Sequence, residues 1–315
     1  KSHGVGHVRL HTKFRKHQNK RRIRKKKLSR AVQLAVLSMS VAPTIALADL
    51  TVNGVVSAAT SVTNTGTITP GGDYINVDGA NTQLTGAITN SGSITAGDDA
   101  FDVKTDSTIS GAITNSGTIT ATDKAFEVDG TSDISGGVTN SGIIQSTGGE
   151  AFVVRANSTI SGGVTNSGTI TGGTNAFNIV NATAPITITN SGLIDGTVIL
   201  DDSILRLNGL TGRVTGSVSG GVGSTVTVNG TFTTENTFSV DNFAINAGGR
   251  LNIGHGVTTT SGVSNAGTLA VASGVNATVT GNYTQAAGGN FEVNVLAPDN
   301  FGTLAVTGTA DLSAS

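Results

Sequence analysis

A five-residue phrase, Asn-Ser-Gly-Thr-Ile or a close variant, recurs at nearly constant spacing and limits what this chain can fold into. It stands at residues 64–68, 90–94, 115–119, 140–144, 166–170 and 190–194. By subtraction, successive Asn residues lie 26, 25, 25, 26 and 24 positions apart. A fixed period of this length marks a solenoid, whose unit is too small to bury its own apolar face and must stack on its neighbours.

Three apolar clusters recur inside each unit. One is Phe101-Asp-Val103, repeated as Phe126-Glu-Val128, Phe152-Val-Val154 and Phe177-Asn-Ile179. A second is Ile109-Ser-Gly-Ala-Ile113 with its counterparts at 134–138 and 160–164, and the third is the phrase itself, as in Thr118-Ile-Thr120. Apolar and polar residues alternate and β-branched types dominate, which predicts short strands with one buried face, three to a unit. A helical solenoid would need apolar residues three and four apart with strong helix formers between them. The expected fold is therefore all-β: a right-handed parallel β-helix of roughly 25-residue coils, stacked about 4.8 Å apart. Each coil offers roughly five or six apolar side chains at about 1.5–3 kcal/mol per large one. Ordering a whole unit costs about 1.5 kcal/mol per residue, so a lone coil should not fold. The Asn column is expected to form a turn ladder, with Asn and the Gly two places on chosen for their tolerance of left-handed backbone angles.

Residues 1–48 stand apart from the repeats. Thirteen of the 19 Lys and Arg residues and four of the five His residues lie in 1–30, and no Asp or Glu precedes Asp49. An apolar run follows at 31–42, then Ala46-Leu-Ala48 in the A-x-A pattern of a signal-peptidase site. The basic stretch at 20–27 could by itself be a nucleic-acid patch, but the apolar run and cleavage pattern make it the n-region of a signal peptide cut after Ala48. Six Lys and Arg then face 20 Asp and Glu, a formal −14 for residues 49–315, which is unsuited to nucleic acid or an anionic membrane. The chain has no Cys, so no disulfide framework holds it.

The expected organisation is a signal peptide at 1–48, regular repeats at 49–198, less regular coils at 199–280 and a distinct segment at 281–315. In the less regular part, 197–200, 204–207, 225–228 and 238–240 still alternate like strands, and Leu251, Leu269 and Phe291 mark units of 18 and 22 residues. The final segment holds Gly281-Asn-Tyr-Thr-Gln285, the pair Gly288-Gly289, Phe291-Glu-Val-Asn-Val295, and a Leu-x-Val-x-Gly-x-Ala-x-Leu strand at 304–312. This stretch resembles the end of the passenger domain of bacterial autotransporters, the type V secretion family. The signal peptide and the Asn-Ser-Gly repeats are also similar to that family. The resemblance implies a passenger exported by the Sec machinery and signal peptidase through the periplasm to the outer membrane, cell surface or medium of a Gram-negative bacterium. It implies an outer-membrane barrel downstream. It further implies an adhesin-like role toward host or neighbouring-cell surface molecules, or self-association. No barrel-type strands follow Leu312, and the chain is read as a fragment or incomplete product.

No catalytic, cofactor or metal site is predicted, and no cofactor. The exported part has one His, His255, between two Gly residues and read as a turn, so neither a His-based metal site nor a Ser-His-Asp triad can be assembled. Two rival classes remain. A polysaccharide-active β-helix enzyme would use carboxylates such as Asp102 and Glu127, which should point outward from one strand. A calcium- or ice-binding module would use an acidic turn column of Asp98, Asp99, Asp123 and Glu150, or the Thr-Ile-Thr ladder at 67–69, 118–120 and 169–171. The acidic column fades to Thr174 and Asn175 and is read as a solvated turn. The Thr ladder is broken by Ser93, Ile143 with Gln145, and Leu193 with Asp195.

Overall fold

Alternating Val, Ile and Thr between Gly-rich corners produces strands of mostly two to four residues in the regular repeats, most of them burying every second side chain; Thr169–Ile179 and Leu193–Leu200 are longer. A computed structural model describes residues 50–53 and 61–313; the predicted signal peptide lies outside them. The described residues form a β-solenoid of about 10 turns, with parallel strands stacked coil upon coil and no helix. They fall within one unit, residues 44–315.

The coil after Asn90 shows the plan. Its strands are Ser93–Ala96 on what is here termed the Ile side, Phe101–Lys104 on the Phe side, Thr108–Ile109 on a short side, and Ile113–Asn115 on the Asn side. The regular coil thus has four sides rather than the three expected. The cluster Ile109-Ser-Gly-Ala-Ile113 is a corner: Ile109 ends the short side and Ile113 opens the Asn side. The bend centres on Gly111, where a Cβ would press on the Gly86 carbonyl of the coil before and lie 2.9 Å from the Ala87 nitrogen. Five large side chains of this coil, Ile94, Phe101, Val103, Ile109 and Ile113, are at most 1% exposed, which agrees with the number read from sequence.

Strict register places like beside like. Ile88, Ile113, Val138, Val164 and Ile188 stack, as do Asn90, Asn115, Asn140, Asn166 and Asn190. On the Phe side the rings of Phe101, Phe126, Phe152 and Phe177 lie nearly parallel with centroids 4.4, 4.6 and 4.8 Å apart. Those separations follow the spacing of hydrogen-bonded strands.

The Asn ladder forms, and it is internal. Asn90, Asn115, Asn140, Asn166 and Asn190 are at most 2% exposed. Each Nδ2 from Asn64 to Asn166 donates to the Oδ1 of the next Asn at 2.7–2.8 Å. The same amide also donates to a backbone carbonyl of the following coil, as from Asn115 to Ile143 at 2.9 Å. The conformational reason expected for this phrase does not hold, because neither its Asn nor its Gly has a positive φ. The Gly is demanded by close approach instead. A Cβ at Gly117 would press on the Gly92 carbonyl oxygen and lie 2.7 Å from the Ser91 carbonyl carbon. Left-handed residues gather at another corner, between the Phe and short sides: Asn81, Asp106, Thr131, Asn157 and Asn181 have φ of 53–64°.

After Asn190 the coil contracts. Its column continues through Leu207, Val228, Ile245, Asn265 and Gln285, at steps of 17, 21, 17, 20 and 20 residues by subtraction. Across Leu207, Val228 and Ile245 the buried amide gives way to apolar side chains. Asn208, Asn229 and Asn246, one residue later, carry an exposed ladder at 2.8 and 2.6 Å. The strands expected at 197–200, 204–207, 225–228 and 238–240 are all present, and Leu251, Leu269 and Phe291 stack in register. The last segment continues the same stack, with Tyr283–Gln285 and Thr303–Val306 pairing onto earlier coils. Gly281 has φ +125°, and a Cβ there would lie 2.6 Å from the Thr259 carbonyl oxygen. Buried Tyr283 and Gln285 renew the internal ladder, since Asn265 Nδ2 donates to both at 3.0 Å and the Tyr283 hydroxyl donates to Gln285.

Candidate functional site

Alternation on the Phe side turns Phe101 and Val103 inward and sets Asp102 on the opposite face. In-register pairing then lines up Asn76, Asp102, Glu127, Val153 and Asn178. Directly opposed like charges repel, so Asp102 beside Glu127 requires neutralisation. The turn entering this side adds more acids, and they form two columns rather than the one expected. Asp123 N donates to the Asp98 carbonyl, while Ala100 N and Ala125 N donate to the carbonyls of Lys124 and Glu150. Lys124 therefore occupies a place in the column of Asp99 and Glu150. The sequence reading missed this cation because it followed only the acids.

Of the four turn acids read as solvated, Asp99 alone is buried; Asp98 is exposed, and Asp123 and Glu150 are half-buried. Asp99 is 6% and Asp102 2% exposed, because the turn folds over the outer face of the strand. Asp99 accepts a hydrogen bond from Lys124 N at 2.8 Å, and Asp73 accepts one from Asp99 N at 3.2 Å. Asn76 Nδ2 donates to Asp73 at 2.9 Å and to Asp102 Oδ2 at 3.0 Å, and Lys104 also pairs with Asp102 Oδ2. Lys124 Nζ lies 2.6 Å from Asp123, 3.8 Å from Glu127 and 4.0 Å from Asp99. Arg155 pairs with Glu127 Oε1 and, at 2.9 Å, with Asp129. Glu150 accepts from Asn178 at 3.1 Å, away from the main cluster.

Asp99, Asp102 and Glu127 each place an oxygen within 4.8 Å of the other two, and so do Asp98, Asp99 and Asp123. Burial pushes the Asp99 carboxyl up to about 7; the Lys124 amide opposes this and the neighbouring Glu127 adds to it. Asp102 is also raised by burial, against the pull of Lys104. Asp102 Oδ1 is buried and has no hydrogen-bond partner.

Elsewhere, His255 lies in an exposed bend, with its ring Nδ1 2.8 Å from the Thr234 carbonyl. The Thr-Ile-Thr ladder of the Ile side is interrupted as its sequence indicated, with Ile143 42% exposed. A regular row lies instead on the Asn side, where Thr63, Thr89, Thr114, Thr139, Thr165 and Thr189 stack without interruption until Arg206. The residue between the apolar and Asn members of each strand was the available signal. An open groove of about 790 Å³ runs past Arg250, Ile253, Val271 and Phe291; the acid in its lining, Glu292, pairs with Arg250 at 2.7 Å.

No protein-family model matches this chain, nor does any curated protein or solved structure. Its functional reading rests on its own residues.

Proposed function

We propose that the chain is the passenger of an autotransporter-like protein, exported and displayed on a Gram-negative cell surface, where it acts without enzymatic chemistry as an adhesin or by self-association. The observation that carries this reading is the Asn side with its unbroken row of six threonines in register. Such a face offers extended contact through many equivalent weak interactions rather than a concave ligand pocket. The signal-peptide pattern and the terminal motif support export and display. The rival glycan-cleaving reading draws less support, since a working carboxylate pair must reach substrate and water. Asp102 is buried, Glu127 is held by Arg155, and the open groove carries a carboxylate already paired.

The test has two parts. Expression of the full chain in a Gram-negative host should yield an exported product beginning at Asp49, read by N-terminal sequencing. The purified product should self-associate in sedimentation experiments or bind cells, and T114K with T139K should abolish this while leaving the melting temperature unchanged. A wild-type product that neither self-associates nor binds any cell surface overturns the adhesive reading. A product retained in the cytoplasm overturns the export reading.

A further inference from the structure

We propose that Asp99, Asp102 and Glu127 form a calcium site that joins two successive coils on the Phe side. The proposal is independent of the adhesive role. Asp99 and Asp102 belong to one coil and Glu127 to the next, and their oxygens converge within 4.8 Å. Each acid has one oxygen fixed by the protein: Asp99 Oδ1 by the Lys124 amide, Asp102 Oδ2 by Asn76 and Lys104, and Glu127 Oε1 by Arg155. The carboxylates are thereby oriented before any ligand arrives.

The independent observation is Asp102 Oδ1. It is buried and has no donor in the fold, although Lys104 and Asn76 satisfy its partner oxygen, and its carboxylate is one of the three that converge here. A buried acceptor left without a partner is destabilising. A cation placed among the three carboxylates supplies the missing interaction and removes the repulsion that strict register imposes on Asp102 and Glu127. The donor set is entirely oxygen, with no His or Cys, which favours a hard cation. Calcium accepts irregular geometry with water completing its shell, whereas magnesium demands a near-ideal octahedron.

Two lysines border the site, and calcium would displace Lys124 from its longer contacts with Glu127 and Asp99. Lys104 engages the outer oxygen of Asp102, and Lys124 lies closest to Asp123, at 2.6 Å, with 3.8 and 4.0 Å to Glu127 and Asp99. Counting Asp73 and Asp123, five carboxylates face Lys104, Lys124 and Arg155, so the site keeps excess negative charge. The neighbouring group of Asp98, Asp99 and Asp123 is a less suitable cage, since Asp98 is exposed and Asp123 is already paired with Lys124.

The experiment is calorimetric titration of calcium chloride into the chelator-treated full chain, with thermal melts in calcium and in chelator. Wild type should bind one equivalent with a dissociation constant of about 10⁻⁴–10⁻³ M, the range of extracellular calcium modules. The melting temperature should rise by roughly 5–10 °C at a hundredfold excess over that constant. Asp102→Asn should weaken binding at least tenfold and abolish the thermal shift. Glu127→Gln, from the other coil, should do the same and guards against a folding defect in the first variant. Asp106→Asn, at an exposed turn acid, should bind as wild type does. The proposal is overturned if wild type takes up no calcium, or if D102N and E127Q bind as tightly as wild type. Loss of binding in D123N with retention in D102N would also overturn it, placing the ion in the neighbouring group.

Discussion

Replacing Asn140 and Asn190 separately by Leu tests whether the internal ladder is a cooperative element or six independent caps. Leu is isosteric enough with Asn to enter the column, and Leu207 already occupies it one coil beyond Asn190. In Asn140→Leu, Asn115 loses an acceptor at 2.8 Å but keeps the Gly117 and Ile143 carbonyls. In Asn190→Leu, Asn166 loses its acceptor at 2.8 Å and keeps the Gly168 and Leu193 carbonyls. Each variant also removes donation to two backbone carbonyls, so these terms nearly cancel. What remains is Asn166 Oδ1, buried and fed by Asn140 Nδ2 at 2.8 Å. Asn140→Leu strands that acceptor, whereas Asn190→Leu strands none in the coil ahead and gains contact with Leu207. An orphaned buried acceptor costs about 1–3 kcal/mol, so N140L should be less stable than N190L by about 2 kcal/mol. Urea unfolding followed by circular dichroism measures the difference, with hydrogen exchange to detect separate opening of coils on either side. Equal stabilities within about 0.5 kcal/mol, or a larger loss in N190L, would refute the ladder argument.

Gly117→Ala should destabilise by more than about 3 kcal/mol although its φ is ordinary, because the new Cβ meets backbone in the coil before; a loss below about 1 kcal/mol by urea melts would show that the coils separate easily. Phe126→Ala removes a fully buried ring stacked between two others and should cost about 3–5 kcal/mol, read by the same melts. Stability in chelator should depend on pH through Asp99. Its folded carboxyl titrates near 7 against 3.8 for the free side chain, so the native state holds a proton that the unfolded chain releases. That contribution is fully present below about pH 4 and is lost as pH rises through 7, on the order of 4 kcal/mol in total. Asp99→Asn should flatten the slope between pH 4 and 7, and an unchanged slope would place the titration elsewhere.

Much of the architecture was legible because a stacked coil repeats its chemistry at a fixed step. The Asn spacing determined the period, the β-branched alternation determined strands over helices, and Gly with Leu251, Leu269 and Phe291 marked the smaller later coils. Identical residues then necessarily fall into register, so the Asn ladder followed from the period alone. The conformational role of Gly117 was not legible, since its need arises from the Gly92 carbonyl 25 residues earlier and not from its own φ. Nor was the corner inside Ile109-Ser-Gly-Ala-Ile113, because two strands on different sides and one strand with a bulge share that pattern. The acids of the Phe side were visible as residue types, but their burial was not. Whether Asp102 faces water depends on how the preceding turn folds over its strand. The unpartnered Asp102 Oδ1 depends on where Lys104 and Asn76 reach. One-dimensional periodicity sets what lies above and below each residue. Only the path of the chain around the coil decides what covers it from the side.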